Sequence, residues 1–282
     1  MSATTVEDRT LDGPHGPLRV RLYTPVAPTG PGLVWAHGGG FAAGDLDMPE
    51  ADWVSRQFAA RGIPVVSIDY ALAPVPAGWE APAHAVDRPR VHYPIASEEV
   101  AFAFAWAVDA GIAPGPWSLG GASAGAGLAT GSILRLLHGD GPRPALAVLA
   151  YPTLHAVQDE HSAELQDLLR AHPEHAGFTP EAIRGMYENY LGGPVDDAEV
   201  YAIPGTATAA QLAGFPPAVI VNDELDALRT SGEAFARVLA DAGTDVDIST
   251  APGESHGHLN RADSAAIASI DRFAARILSL HS

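Results

Sequence analysis

The sequence predicts an α/β fold in which helices cover both faces of a mostly parallel sheet. Short apolar segments alternate along the chain with longer segments of helical periodicity, as they do where helices connect parallel strands. The chain has 282 residues, of which 47% are hydrophobic, so it is long and apolar enough to bury a large core. Because α/β proteins of this length often form one domain, we predict a single domain over residues 1–282.

The predicted strands are short apolar segments bounded by glycine, proline or polar residues. The first, at residues 18–23, follows a turn rich in glycine and proline and alternates between apolar and polar side chains. Most of the later segments are uninterrupted apolar runs, which is typical of strands buried on both faces. They lie at residues 33–36, 65–68, 117–119, 145–150 and 218–221, and a last, alternating strand is predicted at 246–250.

Helical spacing of apolar residues predicts the helices between these strands. They lie at residues 49–60, 97–110, 124–138, 231–242 and 261–279. Residues 155–208 interrupt the alternation, because they carry helical periodicity near 163–170 and 180–190 but no strand pattern. We therefore predict a helical insertion over about residues 155–208.

The most informative motif is G-x-S-x-G at residues 121–125, between a predicted strand and a predicted helix. In that context the motif is typical of a nucleophile elbow, where the serine lies in a strained turn and both glycines allow close backbone packing. The turn exposes the Ser123 hydroxyl. It also places the N–H of Ala124 at a helix N-terminus, where negative charge is stabilised. Ser123 is therefore the candidate nucleophile.

A second motif, H-G-G-G-F at residues 37–41, directly follows the strand predicted at 33–36. Consecutive glycines allow a backbone to approach a ligand closely, although a plain glycine turn would have the same sequence. Together with the elbow, the motif predicts an oxyanion hole formed by the N–H groups of Gly39, Gly40 and Ala124.

Candidate acid and base residues follow two later strands. Asp223 and Asp226 come after residues 218–221, and His256 and His258 come after residues 246–250. The order serine, aspartate, histidine is the chain order of the α/β-hydrolase triad, unlike the orders of chymotrypsin-like and subtilisin-like enzymes. Either aspartate and either histidine fits this order. We expect the unused aspartate to be a solvated loop carboxylate or a helix N-cap, and the unused histidine to line a pocket or lie at the surface.

The chain resembles the hormone-sensitive-lipase-like esterases of the α/β-hydrolase fold. The two glycine motifs match that family, and D-Y-A-L-A-P at residues 69–74 is similar to its D-Y-R-L-A-P. L-D-A-L-R at residues 225–229 is similar to its Y-D-P-L-R, and H-G at 256–257 matches its H-G. The resemblance implies Ser123 as nucleophile, Asp226 as acid and His256 as base. It also implies hydrolysis of short-chain acyl esters through an acyl-enzyme, with no metal and no other cofactor.

Three features depart from the family pattern. Ala122 replaces the aspartate that usually precedes the serine, which changes the support of the elbow but not its chemistry. Residues 75–92 are longer than the family segment, so we predict an extra loop there. Few residues precede the first strand, so the N-terminal part of the cap is expected to be short or missing, and the insertion at 155–208 is expected to form the cap.

The charge and composition of the chain limit the classes of molecule that it is expected to bind. The net charge of −18 leaves no basic patch to neutralise phosphates, so no nucleic-acid partner is expected. The chain has no cysteine, which excludes thiol catalysis. No signal peptide or apolar segment of membrane-spanning length is evident, so we expect a cytoplasmic monomer or homodimer that acts on a small-molecule ester.

Two other functions are compatible with these residues. One is hydrolysis of a different acyl substrate, such as an acetylated sugar, an amide or formamide, or a carbonate. The other is a non-catalytic receptor for a small ligand. The family's plant hormone receptors have lost the histidine, whereas this chain keeps His256.

Overall fold

The computed structural model describes residues 4–28, 30–76 and 89–280. Within them, eight strands form one sheet: β1 (Thr5–Gly13), β2 (Gly16–Thr24), β3 (Gly32–Ala36), β4 (Val65–Asp69), β5 (Trp117–Ala122), β6 (Leu146–Ala150), β7 (Ala218–Leu225) and β8 (Val246–Ser255). Their order is β1-β2-β4-β3-β5-β6-β7-β8. β2 pairs antiparallel with both β1 and β4, and the five remaining pairs are parallel. The prediction of a mostly parallel sheet is confirmed.

Helices cover both faces of this sheet, also as predicted. The helices of the described ranges are α1 (Asp52–Ala60), α2 (Ile95–Asp109), α3 (Ala124–His138), α4 (Ala163–Ala171), α5 (Pro180–Leu191), α6 (Arg229–Asp241) and α7 (Ser264–Leu278). Strand β3 is apolar throughout because a hydrophobic core lies on each of its faces. Val34 belongs to the core with α2, α3 and α6, and Trp35 belongs to the core with α1 and α7. Side chains on both faces of such a strand are buried.

Strand β1 was not predicted from the sequence. Only Leu11 of its nine residues is buried, because β1 is an edge strand that pairs with β2 alone. Its mostly polar sequence therefore lacks the apolar pattern that identified the other strands. The polar side chains suit an exposed edge, which would otherwise favour pairing with another chain.

The segment between β6 and β7 contains α4 and α5, and all of its residues are described. Ser162 and Thr179 cap these helices, each accepting a hydrogen bond from a backbone N–H of the first turn. Helix α5 ends at Gly192, which has the left-handed conformation common at helix C-termini (φ 71°). Both helices lie within residues 155–208, and the assignment of this segment as a cap insertion stays a prediction.

Residues 77–88, most of the predicted extra loop at 75–92, lie outside the described residues. None of the helices in the described ranges is long and apolar enough to cross a membrane.

Candidate active site

Ser123 lies in the sharp turn between β5 and α3, with φ 52° and ψ −121°. A positive φ is strained for any residue except glycine, and such strain is typical of functional sites. The turn is held in place because the Ser123 N–H donates to the carbonyl of Ala150 on the neighbouring strand β6, at 2.9 Å. The predicted nucleophile elbow is thus present in the backbone conformation.

The two glycines of the motif are required by close packing against the end of β3. A Cβ atom on Gly121 would lie 2.5 Å from the carbonyl oxygen of Ala36. A Cβ atom on Gly125 would overlap the carbonyl oxygens of both Ala36 and His37. Because β3 leads into the H-G-G-G-F loop, this packing also brings that loop beside the elbow. A Cβ atom on Gly38 would lie 3.1 Å from the Cβ of Ser123.

The structure brings Ser123, His256 and Asp226 into one hydrogen-bonded chain. The Ser123 hydroxyl lies 2.8 Å from Nε2 of His256. Nδ1 of His256 lies 2.7 Å from Oδ2 of Asp226. The other oxygen of Asp226 accepts the N–H of Leu228 at 2.9 Å. Asp226 is buried, and this second hydrogen bond fixes the orientation of its carboxylate toward the imidazole.

Charge and burial shift the pKa of His256 in opposite directions. Burial lowers the pKa of the imidazole, but the negative charge and hydrogen bond of Asp226 outweigh it, so the pKa is raised. Two aromatic rings contact the imidazole edge-on, that of Phe178 at 4.6 Å and that of Tyr151 at 5.1 Å between ring centres. The ring of His256 is thus confined between the loop before α5 and the end of β6.

The H-G-G-G-F loop has the conformation that its glycines permit. Gly39 has φ 111° and Gly40 has φ 58°. The carbonyl of Gly39 accepts the N–H groups of Ala42 and Ala43. The N–H groups of Gly39 and Gly40, in contrast, donate to no other group among the described residues. They are therefore available to a ligand, as the predicted oxyanion hole requires.

The side chains of His37 and Tyr70 pack together beside this loop and support it. The two rings stack at 4.4 Å, and the Tyr70 hydroxyl donates to the carbonyl of His37 at 2.8 Å. His37 is fully buried, and burial lowers the pKa of its imidazole. Tyr70 belongs to the D-Y-A-L-A-P segment, so two of the motifs quoted above pack against each other.

Glu50, just before α1, was not identified from the sequence. It is 2% exposed, and its carboxylate accepts the N–H of Gly38 at 2.5 Å. It also accepts the hydroxyl of Tyr151 at 2.6 Å and the side-chain N–H of Asn260 at 3.1 Å. Glu50 therefore links the glycine loop to the two regions that flank His256. An acidic residue before a helix is ordinary in a sequence, so no local signal could have indicated this role.

The expectations for the unused acid and base candidates were wrong. Neither Asp223 nor His258 is solvated: both are fully buried, and Asp223 Oδ1 lies 2.5 Å from His258 Nδ1. The physical reason is that β7 continues to Leu225, beyond the predicted end at residue 221, so Asp223 is still within the buried sheet. The chain after β8 then turns back over it and places His258 inside.

Asp223, Asp226 and His256 also have atoms spaced closely enough for metal ligands, within 4.8 Å of one another. However, both nitrogens of His256 are already hydrogen-bonded, to Ser123 and Asp226, and Asp223 contacts His258. A metal ion would have to replace these contacts. The cluster therefore fits a proton-transfer site better than a metal site.

A cavity of about 700 Å³ lies beside the site. Phe178, which contacts His256, forms part of its wall. The rest of the lining comes from residues 156–161, 166, 180, 181, 183 and 184. The segment between β6 and β7 thus shapes the space next to the imidazole.

The chain is similar to known proteins over most of its length. A family model described as alpha/beta hydrolase fold matches residues 33–260. The carboxylic ester hydrolase LipN of Mycobacterium tuberculosis is 34% identical over 270 residues, which cover 90% of this chain and 64% of LipN. The chain thus spans slightly less than two thirds of that relative.

Two further proteins are similar to this chain over most of its length. An ethyl acetate hydrolase of Pseudomonas putida is 29% identical over 268 residues, covering 91% of this chain and 74% of that protein. Among solved structures, an esterase from Pyrobaculum calidifontis has a TM-score of 0.81 and 28% identity, and the match covers 98% of this chain and 85% of the other.

Proposed function

The chain belongs to the α/β-hydrolase family, in its hormone-sensitive-lipase-like branch of esterases, and on that basis we propose that it is a serine carboxylesterase. Its substrates are short-chain acyl esters, and it acts through an acyl-enzyme. The observation that carries this proposal is the hydrogen-bonded chain from Ser123 through His256 to Asp226 at a strained elbow. The ester hydrolases among its relatives support the same chemistry.

In the first half of the reaction, Ser123 Oγ attacks the ester carbonyl while Nε2 of His256 takes the hydroxyl proton. The distance of 2.8 Å between these atoms suits direct proton transfer. Asp226 keeps the proton on Nδ1 of the neutral imidazole, so that Nε2 is free to act as a base. When His256 becomes positively charged, the same carboxylate stabilises it.

The tetrahedral intermediate carries a negative oxygen, which the N–H groups of Gly39, Gly40 and Ala124 stabilise. Each such donor contributes about 3 kcal/mol to lowering the barrier in comparable enzymes. His256 then gives its proton to the leaving alcohol, and the acyl group stays on Ser123. Water, deprotonated by the same histidine, releases the acid and restores the serine.

The similarity to an ethyl acetate hydrolase supports a preference for short acyl chains. No long amphipathic helix that could bind a lipid surface is evident in the sequence. We therefore expect acyl chains of about two to six carbons, as in the family, and no activation at an oil–water interface. A cytoplasmic location and a monomeric or homodimeric state stay predictions.

A series of p-nitrophenyl esters tests this proposal, with acetyl, butyryl, octanoyl and palmitoyl groups. We expect the highest kcat/KM at four carbons or fewer, and no increase in rate above the solubility limit of the substrate. Ser123→Ala should abolish hydrolysis and keep the fold, because the elbow tolerates the smaller side chain. A maximum at eight carbons or beyond, or a rate increase at the interface, would contradict the proposed substrate size. Higher activity on an amide or an acetylated sugar would assign another acyl substrate.

A further inference from the structure

A second aspartate and histidine lie beside the proposed catalytic residues and have no part in the mechanism above. Asp223 and His258 are both fully buried and in contact at 2.5 Å. On the other side of its ring, His258 Nε2 lies 2.8 Å from the hydroxyl of Ser269, a buried residue of α7. Inside the protein, Nδ1 of His258 thus contacts the Asp223 carboxylate, and Nε2 is within hydrogen-bond distance of Ser269.

This pair joins the same two segments as Asp226 and His256. Asp223 precedes Asp226 by three residues at the end of β7, and His258 follows His256 by two residues after β8. Two aspartate–histidine contacts thus join the end of β7 to the segment that follows β8. The ring of Tyr151 contacts both imidazoles edge-on, with centres 5.1 Å from His256 and 5.3 Å from His258. A displaced His258 would therefore displace His256, both through the chain and through Tyr151.

We propose that Asp223 and His258 form a positioning pair for His256, which holds its imidazole on the Asp226 carboxylate and presents a second negative charge to it. The inference rests on the proposed function, because the pair acts through the proposed catalytic base. Stability alone does not account for the pair. A buried carboxylate loses its hydration at a high cost, and apolar side chains of similar volume often stabilise a protein as well or better.

The charge of Asp223 is close enough to act on the reaction. Side-chain atoms of Asp223, Asp226 and His256 lie within 4.8 Å of one another, so two carboxylates face the imidazolium that forms when Ser123 loses its proton. The attraction between such charges is strong in a buried site. It requires that Asp223 stays ionised, and the contact with His258 favours that state.

The charged and titratable groups around Asp223 come from several elements. They are Asp226, His256, His258 and Tyr151, and Glu50 faces His256 and Tyr151. Burial, together with the charge of Asp226, raises the pKa of the Asp223 carboxyl above its ordinary value, although the contact with His258 opposes this effect. For His256, burial lowers the pKa, but the charges of Asp226, Asp223 and Glu50 together raise it. Removing the charge of Asp223 should therefore lower the pKa of His256.

Two substitutions separate the charge of the pair from its shape. Asp223→Asn keeps the shape and one hydrogen-bond acceptor but removes the charge. His258→Phe keeps a ring of similar size but removes both contacts. Each variant is assayed on p-nitrophenyl acetate for kcat, KM and the pH dependence of kcat/KM. Thermal unfolding gives the folded fraction under the same conditions.

We expect kcat to fall about 10-fold in each variant while KM stays within about twofold. Asp223→Asn removes a charge that acts in the transition state, and His258→Phe removes the contact that holds this carboxylate in place. The acid-side inflection of kcat/KM should move to lower pH in Asp223→Asn. A His256 of lower pKa stays neutral, and so active as a base, in more acidic solution. Wild-type values of kcat and of this inflection in both variants would overturn the proposal, as would losses explained entirely by unfolded protein.

Tyr23→Phe is the matched control. It removes a partly buried hydrogen bond to the carboxylate of Asp52, at 2.8 Å, away from the proposed site. We expect it to lower the melting temperature without moving the inflection, and an equal shift in this variant would attribute the effect to lost stability and overturn the positioning role. If the wild-type protein is an active esterase and both variants have its kcat and pH profile, the positioning role of Asp223 and His258 is overturned, but the proposed function is not. A wild-type protein without esterase activity would overturn the proposed function instead.

Discussion

At the scale of single residues, the buried carboxylate of Glu50 joins the parts of the site that are far apart in the chain. One of its oxygens accepts the N–H of Gly38, and the other accepts from Tyr151 and Asn260. A carboxylate has only acceptors, which suits three surrounding donors. The position of the glycine loop therefore depends on the charge state and shape of this one side chain.

Glu50→Gln should reduce catalysis through the glycine loop. The amide would turn an NH₂ group toward either the N–H of Gly38 or the donors of Tyr151 and Asn260, and two donors repel each other. Because a single misplaced oxyanion donor costs about 100-fold or more, we expect kcat to fall at least about 10-fold with little change in KM. Steady-state kinetics on p-nitrophenyl acetate measure this. Asp52→Asn, outside the site, serves as the control, and a Glu50→Gln enzyme with wild-type kcat would show that the link is dispensable.

The residues that the sequence identified and those that it missed differ in a physical way. Ser123 lies in a five-residue motif that is contiguous in the chain, and packing against the end of β3 requires both of its glycines, so a local pattern revealed it. Glu50 and the pair of Asp223 with His258 act through contacts between residues up to 210 positions apart in the chain. Such contacts leave no pattern in a single sequence, and only the structure shows them.

At the scale of elements, the central strands were predictable because each is buried on both faces. Strand β1 was not, since an exposed edge strand needs few apolar residues. The ends of β7 and β8 were also predicted too early. Both strands continue past their apolar cores, and β7 includes the polar residues 222–224. This extension explains why Asp223 is buried and Asp226, just past the strand, reaches His256.

The segment between β6 and β7 illustrates the limits of helix prediction. Periodicity indicated two helices near the observed α4 and α5, but it did not show where they would pack. Helix α5 buries Ile183, Met186, Tyr187 and Tyr190, and the loop before it places Phe178 against His256. The segment therefore shapes the cavity beside the imidazole, which is where substrate size is expected to be set.

At the scale of the whole molecule, buried histidines make stability depend on pH. Burial lowers the pKa of His37 and His155 below the ordinary value of 6.5, so the unfolded chain binds protons more readily at these positions. Their effect is to reduce stability as the pH falls through 6.5 and below. The raised pKa of His256 acts in the opposite direction, because its stabilising contribution is present at low pH and is lost as the pH rises through the folded value.

His155→Gln removes one destabilising protonation, so between pH 8 and pH 5 its urea midpoint of unfolding should fall less, or rise more, than that of the wild-type protein. His172→Gln, at the surface, is the control and should show the wild-type pH dependence. A pH dependence that His155→Gln leaves unaltered would contradict the assigned effect of burial on this imidazole.

Covalent labelling tests most directly whether Ser123 is the activated nucleophile of this molecule. Two serines in the described residues contact a histidine that in turn contacts an aspartate. Ser123 lies beside His256 and Asp226, and Ser269 lies beside His258 and Asp223. The protein is treated with a fluorophosphonate, digested, and mapped by mass spectrometry. We predict a single adduct, on the peptide that contains Ser123, formed in parallel with the loss of esterase activity. An adduct on Ser269, or esterase activity that survives in Ser123→Ala, would contradict this role of Ser123.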